Sequence, residues 1–325
     1  MVSLSYWARL LRLFYHYKKK SSTLPYMPIR LWVELTNFCN FKCIMCPNKD
    51  LKKKDKGYMD MDLYRKIVDE AREFIFDINL AHRGESLLHP EIVEAIKYAK
   101  QSKIFTRLHT NGSQLTEDLA ENIIAAELDL ISFSFDGYTE ETYQKIRVGG
   151  NFEKTIENIV RFLEIKKAAG TKTPQISIEV IDFEKTSGEN LEQAKQEFKK
   201  RFQDLPLDSF VIKELHNWAG EIKTKQNSDN YSICPFPWNA LIICWDGSVI
   251  PCTQDFFNHN IIGNIKDNSI KEIWNGKKIT HLRKKLAEQK LDEFKTCSHC
   301  DRVWRKGFLG VPKEYLWKFI SKRMP

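Results

Sequence analysis

Between residues 31 and 215 the chain alternates short apolar runs with stretches of helical hydrophobic period. The runs at 31–36, 75–81, 104–110, 128–135, 175–181 and 209–215 read as strands. Those at 62–74, 90–101, 116–126, 151–169 and 188–202 read as helices, with Pro90 at one start and Asn190 near another. Strands separated by helices pair in parallel, because the return crossover needs a helix's length of chain. Six such strands fit either an open doubly wound sheet or an incomplete (β/α) barrel. In both, ligands gather at the carboxyl ends of the strands. No glycine-rich dinucleotide fingerprint follows the first strand, which argues against a nicotinamide-binding sheet.

At 325 residues the chain has room for about two domains, and 42% hydrophobic residues are enough for a sizeable core. The net charge of +8 is spread along the chain, with basic aromatic segments at both ends. No apolar run approaches the roughly 18 residues of a membrane span. Arg9 and Arg12 interrupt the N-terminal apolar positions and no small-residue cleavage site follows, so no signal peptide is expected. A cytoplasmic protein is the expectation, and in that reducing compartment clustered cysteines point to metal or redox chemistry rather than disulfides. There are eight cysteines, with none between 46 and 234, which suggests two metal centres. The expected organisation is a basic aromatic helix segment (1–28), a barrel (29–215), a polar linker (216–233), a cysteine-rich domain (234–301) and a basic aromatic tail (302–325).

The first cluster, Cys39, Cys43 and Cys46, reads CNFKCIMC, a C-x3-C-x2-C spacing placed just after the first strand. Three thiolates on one loop can ligate three irons of a 4Fe–4S cube and leave the fourth iron open. Electron-transfer clusters instead have four protein thiolates. Structural zinc would need a fourth ligand, and no His or Cys lies close in sequence to supply it.

This loop, after a strand that opens a βα series, resembles the cysteine loop of the radical S-adenosylmethionine (radical SAM) superfamily. The resemblance implies a partial (β/α)6 TIM-type barrel in the α/β class. It also implies a 4Fe–4S cluster whose open iron is chelated by SAM, and a 5′-deoxyadenosyl radical that abstracts a substrate hydrogen. Further matches follow in order. His82-Arg83-Gly84-Glu85-Ser86 stands where the family has Gly-Gly-Glu-Pro beside the methionyl amino group; Gly84 and Glu85 match, Arg83 and Ser86 depart. Ser134-Phe135-Asp136-Gly137 is similar to the family's Ser-x-Asp-Gly, and Arg147 stands where related members place a guanidinium near the SAM carboxylate. Met45 takes the place of the more usual aromatic residue beside the adenine. Taken singly, a Glu in a loop is usually solvated and an Arg at a helix end is usually a surface charge. Their order on successive strand ends favours SAM contacts for Glu85, Ser134 and Arg147.

In the second cluster Cys234 and Cys252 are followed by the Cys297-x2-Cys300 pair, a set that can close a four-thiolate site for zinc or for a 4Fe–4S cluster. Gly263-Asn264-Ile265, Ile273-Trp274-Asn275, the Asp246-Gly247 turn and Pro251 before Cys252 resemble the SPASM/twitch extension of radical SAM enzymes. That resemblance implies an auxiliary 4Fe–4S cluster of the one-cluster type. Cys244, on an apolar run, reads as a buried small hydrophobe, and His259 and His299 as solvated loop residues.

The expected activity is therefore radical SAM chemistry on a small-molecule, sugar or lipid-linked substrate, with dehydrogenation favoured if the auxiliary cluster takes an electron. The resemblance also implies a reducing partner such as flavodoxin or ferredoxin. Two other readings stand beside it: a peptide-modifying maturase working with a separate recognition protein, and a non-catalytic iron–sulfur carrier or zinc-stabilised binding protein. The aromatic ends read as helices docked on the barrel, with peripheral contact to an anionic membrane as the rival. A nucleic-acid partner is not expected, since no reading module is present and the charge is modest.

Overall fold

A computed structural model describes residues 4–181, 189–224, 230–305, 307–308 and 311–312. The chain divides into two units. One comprises residues 30–215 with 243–247; the other joins 1–29, 216–242 and 248–325 and contains the first helix, α1 (Leu4–Lys18).

The 30–215 unit has six strands: β1 (Arg30–Val33), β2 (Asp77–Asn79), β3 (Phe105–Thr110), β4 (Leu130–Ser134), β5 (Gln175–Ile181) and β6 (Ser209–Lys213). All pair in parallel, each with its neighbour in sequence. Doubly wound sheets reverse their strand order partway along. An order that never reverses puts every right-handed crossover on one side, as in an arc of a barrel. The crossovers are α2 (Met61–Ala71), α3 (Ile92–Gln101), α4 (Glu117–Ala125), α5 (Glu140–Ile146), α6 (Phe152–Ala169) and α7 (Glu189–Lys200). Side-chain caps start four of them: Asp60, Thr116, Thr139 and Asn151 each accept from backbone N–H groups of the first turn. Pro90 falls short of α3, whose N-cap is Glu91.

The two sheet faces differ in kind. Leu31, Val33, Ile78, Leu80, Leu108, Ile131, Phe133, Ile176, Ile178 and Val180 are buried, as are Tyr64, Ile67, Ala95, Ile96, Ile123, Ile159 and Phe162 of the helices. Each Val, Leu, Ile and Phe among them contributes about 1.5–3 kcal/mol. Side chains alternate along a strand, so the opposite face carries Asn79, Arg107, His109, Ser132, Ser134, Ser177, Glu179 and Lys213. The register sets them side by side: Asn79 pairs with Arg107, His109 with Ser132, Ser132 with Ser177, and Ser134 with Glu179. A packed barrel centre is built from Val, Ile and Leu; here polar side chains stand among Trp32, Phe105, Leu130, Ile181 and Val211.

In the other unit the strands Ser248–Ile250 and Gly263–Asn264 pair antiparallel, with helices Ile270–Trp274, Lys277–Glu288 and Lys295–Ser298 after them. The N-terminal segment belongs to this unit. Tyr17 donates its hydroxyl to the Ile233 carbonyl (2.6 Å) and sets its ring edge-on to Trp238. Asn275 bonds both backbone groups of Leu24, and Trp274 Nε1 donates to the Tyr26 carbonyl. The buried Arg283 donates to the carbonyls of Pro237 and Ser22 and lies 4.4 Å from the Trp274 ring centre. The inward face of α1 carries Leu10 and Tyr17, whereas Leu11, Phe14 and Tyr15 face solvent. Leu11 and Phe14 thus lie on the outward side of the helix.

The stretch expected as a linker is tied down at its start. Asn217 and Asp301 exchange backbone–side-chain bonds, and Trp218 stacks edge-on to Phe256. The tail at 313–325 lies outside the described residues. Among the described residues no helix is long and apolar enough to cross a membrane.

Candidate active site at the carboxyl ends of the strands

The loop after β1 carries Cys39, Cys43 and Cys46 and is fixed on three sides. Thr36 Oγ1 donates to the Gly57 carbonyl, and Asn37 bridges the Asp55 carbonyl and the Gly57 N–H. Asn48 Nδ2 donates to the carbonyls of Asn37 (2.9 Å) and Arg83 (2.6 Å), and its Oδ1 accepts from Lys56 Nζ. On the far side, the Lys42 and Ile44 N–H groups donate to the carbonyls of Val148 and Ile146. The loop alternates: Phe41, Cys43 and Met45 are buried, Lys42 and Ile44 exposed.

The His82–Ser86 loop after β2 lies against this segment. A Cβ on Gly84 would stand 2.6 Å from the Phe38 carbonyl oxygen and closer still to that of Thr36, so only glycine permits the approach. The Glu85 N–H donates to the Phe38 carbonyl at 2.8 Å. The Glu85 carboxylate accepts from Thr110 Oγ1 (2.7 Å), the Asn111 N–H (2.7 Å) and the Leu87 N–H (3.0 Å). Burial raises its pKa in spite of those donors. Glu85 thereby fastens the loop to the end of β3. The departures from the family pattern have their own partners. Arg83 forms a buried bidentate pair with Glu34 of the β1–loop junction (both 2.7 Å), and Ser86 Oγ donates to the Leu80 carbonyl. Glu34, a lone acid in an apolar run, was not singled out from the sequence.

After β4, Gly137 at φ +104° turns the chain into α5, where a Cβ would strike the Tyr143 nitrogen. The last turn of α5 delivers Arg147, whose Nη2 donates to Asp136 at 2.6 Å. Asp136 also accepts from the Ile181 N–H at the end of β5. Arg147 is 7% exposed, and among the described residues its Nε has no acceptor. It stands close enough to Cys43 for its charge to bear on that thiol. Ser134, half-buried at the end of β4, lies in register with Glu179.

Burial pushes the first-cluster thiols up, Cys39 to about 12 and Cys46 to about 11, and mutual repulsion with neighbouring thiols adds to it. Three thiols within electrostatic reach of one another and of an unfilled guanidinium donor suit a cationic cluster with an anionic ligand beside it. A bound metal supplies the charge that ionises such thiols.

In the other unit burial first, and then neighbouring thiols with Cys234 foremost among them, raise the pKa values of Cys252, Cys297 and Cys300. Cys244 is absent from that set; it is fully buried beside Arg83. Asp255, 1% exposed, orders the intervening loop by accepting from the His259 and Asn260 N–H groups and from Thr296 Oγ1. His259 and His299 are partly exposed; His259 lies 3.7 Å from Glu221. Among the described residues no group of His, Cys, Asp and Glu closes tightly enough to hold a single ion.

On the polar strand face, His109 Nδ1 lies 3.5 Å from Glu179 Oε2, and Lys213 Nζ reaches the same oxygen at 2.5 Å. Burial opposes ionisation of Glu179, but His109 and then Lys213 outweigh it and hold the carboxyl well below the usual range. Ser132 and Ser177 share a hydrogen bond (2.8 Å), and Arg107 approaches Asp77 at 3.6 Å.

Residues 33–174 match the family model of the radical SAM superfamily, and residues 234–301 that of SPASM, an iron–sulfur cluster-binding domain. The tungsten-containing aldehyde ferredoxin oxidoreductase cofactor-modifying protein of Pyrococcus furiosus is 25% identical over 307 residues, 78% of this chain and 82% of that protein. The S-adenosyl-L-methionine-dependent 2-deoxy-scyllo-inosamine dehydrogenase of Niallia circulans is 24% identical over 278 residues, 83% of this chain and 92% of that protein. In fold, the chain is similar to Streptococcus suis SuiB bound to the precursor peptide SuiA, with a TM-score of 0.65, 14% identity, and coverage of 93% of this chain and 76% of that one.

Proposed function

The chain belongs to the radical SAM superfamily and carries a C-terminal SPASM iron–sulfur domain, and from that premise we propose that it oxidises a small hydroxylated substrate held against the polar strand face. When bound, the 4Fe–4S cluster and SAM supply reductive cleavage to methionine and a 5′-deoxyadenosyl radical, which takes one hydrogen atom from carbon. Cys39, Cys43 and Cys46 would hold that cluster, with Arg147 Nε offered to the SAM carboxylate, Ser134 beside it, and Met45 against the adenine. Gly84 and Glu85 shape the loop whose backbone would face the methionyl end. Cys234, Cys252, Cys297 and Cys300 would hold the auxiliary 4Fe–4S cluster.

The observation that carries the substrate class is the face itself: Asn79, Arg107, His109, Ser132, Ser177 and Glu179 stand where a barrel centre is ordinarily aliphatic. Buried polar groups need partners, and a polyol provides both donors and acceptors. Among the described residues Asn79 Oδ1 is buried with no donor. Oxidation of an alcohol to a ketone removes two electrons and two protons. His109, aligned by Glu179, is placed to take the hydroxyl proton; the adenosyl group would supply the acceptor for one hydrogen atom, and a cluster held by Cys234, Cys252, Cys297 and Cys300 would supply the acceptor for the remaining electron. The similarity to an inosamine dehydrogenase along most of both chains supports this reading.

The test is release of 5′-deoxyadenosine by the reduced, anaerobically reconstituted protein given SAM. The wild type is expected to form it and a Cys39/Cys43/Cys46→Ala variant to form none. Candidate polyols should then yield one ketone per nucleoside. A protein that fills with zinc and forms no nucleoside would sink the proposal.

A further inference from the structure

A helix packed along one side ordinarily turns polar residues to water on the other. Helix α1 does not. Leu11 is 60%, Tyr15 58% and Phe14 41% exposed. Spaced three and four residues apart, they stand together on one side of the helix. Leu10 and Tyr17 fix the opposite side, through burial, the Tyr17–Ile233 bond and the edge-on contact with Trp238. The outward patch therefore cannot turn inward without undoing the helix's own anchorage. Its rim has one sign of charge. Residues 1–33 hold six cations (Arg9, Arg12, Lys18, Lys19, Lys20 and Arg30) and no acid, against a net +8 for the whole chain. Arg12, Lys18, Lys19 and Lys20 are exposed. Among the described residues Arg12, Lys19 and Lys20 form no ion pair. Arg12 and Lys19 flank Tyr15, three residues before it and four after, and Lys19 Nζ lies 5.8 Å from the Tyr15 ring centre.

We propose that the outward side of α1 attaches this protein peripherally to an anionic membrane, with the helix lying along the lipid–water boundary. Leu11, Phe14 and Tyr15 enter the headgroup layer, while Arg12, Lys18, Lys19 and Lys20 reach the lipid phosphates. Aromatic and aliphatic side chains beside Lys and Arg are the pattern of helices that lie in the interface. At 15 residues, or about 22 Å, α1 is too short to cross the hydrocarbon layer. Each cation near an anionic surface strengthens partition by about fivefold, an advantage that salt removes. Charge also decides among the occupants open to such a face. A second copy would set two cationic rims against each other. The chain's own segment 313–325 carries Lys313, Lys318, Lys322 and Arg323 against Glu314, so it too would bring like charge. A bilayer with anionic headgroups suits both the apolar centre and its rim. This attachment needs neither cluster nor SAM and stands apart from the oxidation proposed above.

The test is sedimentation of the reconstituted protein with vesicles. Phosphatidylcholine alone is compared with phosphatidylcholine containing about 30% phosphatidylglycerol, at about 50 mM and about 500 mM salt. The wild type is expected to bind the anionic vesicles about tenfold or more tightly than the neutral ones, and to lose most of that preference at the higher salt. Two variants divide the surface. Leu11→Gln/Tyr15→Gln removes the apolar centre and keeps every charge, whereas Arg12→Gln/Lys19→Gln keeps the centre and removes two cations. All four side chains are exposed, so both variants should melt with the wild type by circular dichroism. Each should bind anionic vesicles about tenfold or more weakly at the lower salt. The second should match the wild type on neutral vesicles. A wild type without preference for anionic vesicles would overturn the proposal, as would full binding by either variant. Sedimentation velocity forms the last arm. If the wild type binds no vesicles but self-associates, and Leu11→Gln/Tyr15→Gln is monomeric, the surface belongs to a second copy and the proposal falls. Release of 5′-deoxyadenosine enters none of these readouts, so failure of the radical reading leaves them unchanged.

Discussion

Arg83→Met isolates the contact by which this chain departs most from its family's loop. Glu34 is 0% exposed and Arg83 6%, and the guanidinium meets both carboxylate oxygens at 2.7 Å. Removing one partner of such a pair strands the other charge in the interior and costs about 3–5 kcal/mol. For a unit of this size each kcal/mol lowers the melting temperature by about 2–4 °C, so the variant should melt about 6–20 °C lower at pH 7. Replacing both residues, as Glu34→Leu/Arg83→Met, removes the stranded charge and should recover most of the loss. The only other described bond to that carboxylate is a long one (3.4 Å) from the Trp245 N–H.

The pH dependence has a definite sign. In the wild type burial opposes ionisation of Glu34, but Arg83 outweighs it and the folded pKa lies below the ordinary value. Its contribution is therefore complete above the unfolded pKa of about 4.3 and fades only as pH falls through the depressed folded value. Without Arg83 only His82 and the long Trp245 bond oppose the burial, the largest cause, which then raises the carboxyl, so the variant gains stability as pH falls toward that of the unfolded group. The gap between the two proteins should narrow from pH 7 to about pH 4.5. Thermal melts followed by circular dichroism across that range decide it. A loss under about 1 kcal/mol at pH 7, or a double variant no better than the single, would refute the assignment.

Four other outcomes follow from the site. Cys252→Ser should lower bound iron from about eight to about four per chain, whereas Cys244→Ser should keep about eight, by iron and sulfide assay. Asp255→Ala removes the acceptor of three hydrogen bonds around the second cluster. It should lose the auxiliary spectroscopic signal while 5′-deoxyadenosine release from the first site persists. Gly84→Ala forces a Cβ onto the backbone before Cys39; a loss of about 1–3 kcal/mol in melts, with incomplete filling of the first cluster, is expected. His109→Asn should leave SAM cleavage intact but uncouple it from ketone formation, seen as nucleoside released without oxidised product.

Local signals carried much of this architecture. Alternation of strand and helix, with successive strands beginning 25 to 47 residues apart, made the βα series readable, and the cysteine spacings need no tertiary knowledge. The strand ends were less clear: β2 is three residues long, although the apolar run around it is longer, because its flanks bend into loops. The seven-residue α5 is too short for a period to show, yet it delivers Arg147. Glu34 and Asp255 escaped notice because each is a single acid whose meaning depends on partners far along the chain, Arg83 and Thr296. The course of α1 was hidden for the same reason. Its stripe reads as amphipathic either way round, and only Trp238 and Ile233 determine that Tyr17 turns inward while Phe14 remains in water.

The unit that gathers the four auxiliary thiols is closed by its own beginning. Leu24 bonds Asn275 across 251 residues, and Ser22 bonds Arg283 across 261. On a ribosome that adds about 5–20 residues per second, the first helix is finished roughly 10–50 s before the residues that bind it have been made. All six strands between them emerge in that interval and can complete their own sheet. Until then α1 carries Leu10 and Tyr17, its future inward face, without their shelter. That interval is when a chaperone has cause to hold this N-terminus, and when iron supplied early finds the first three thiols but not yet the second set.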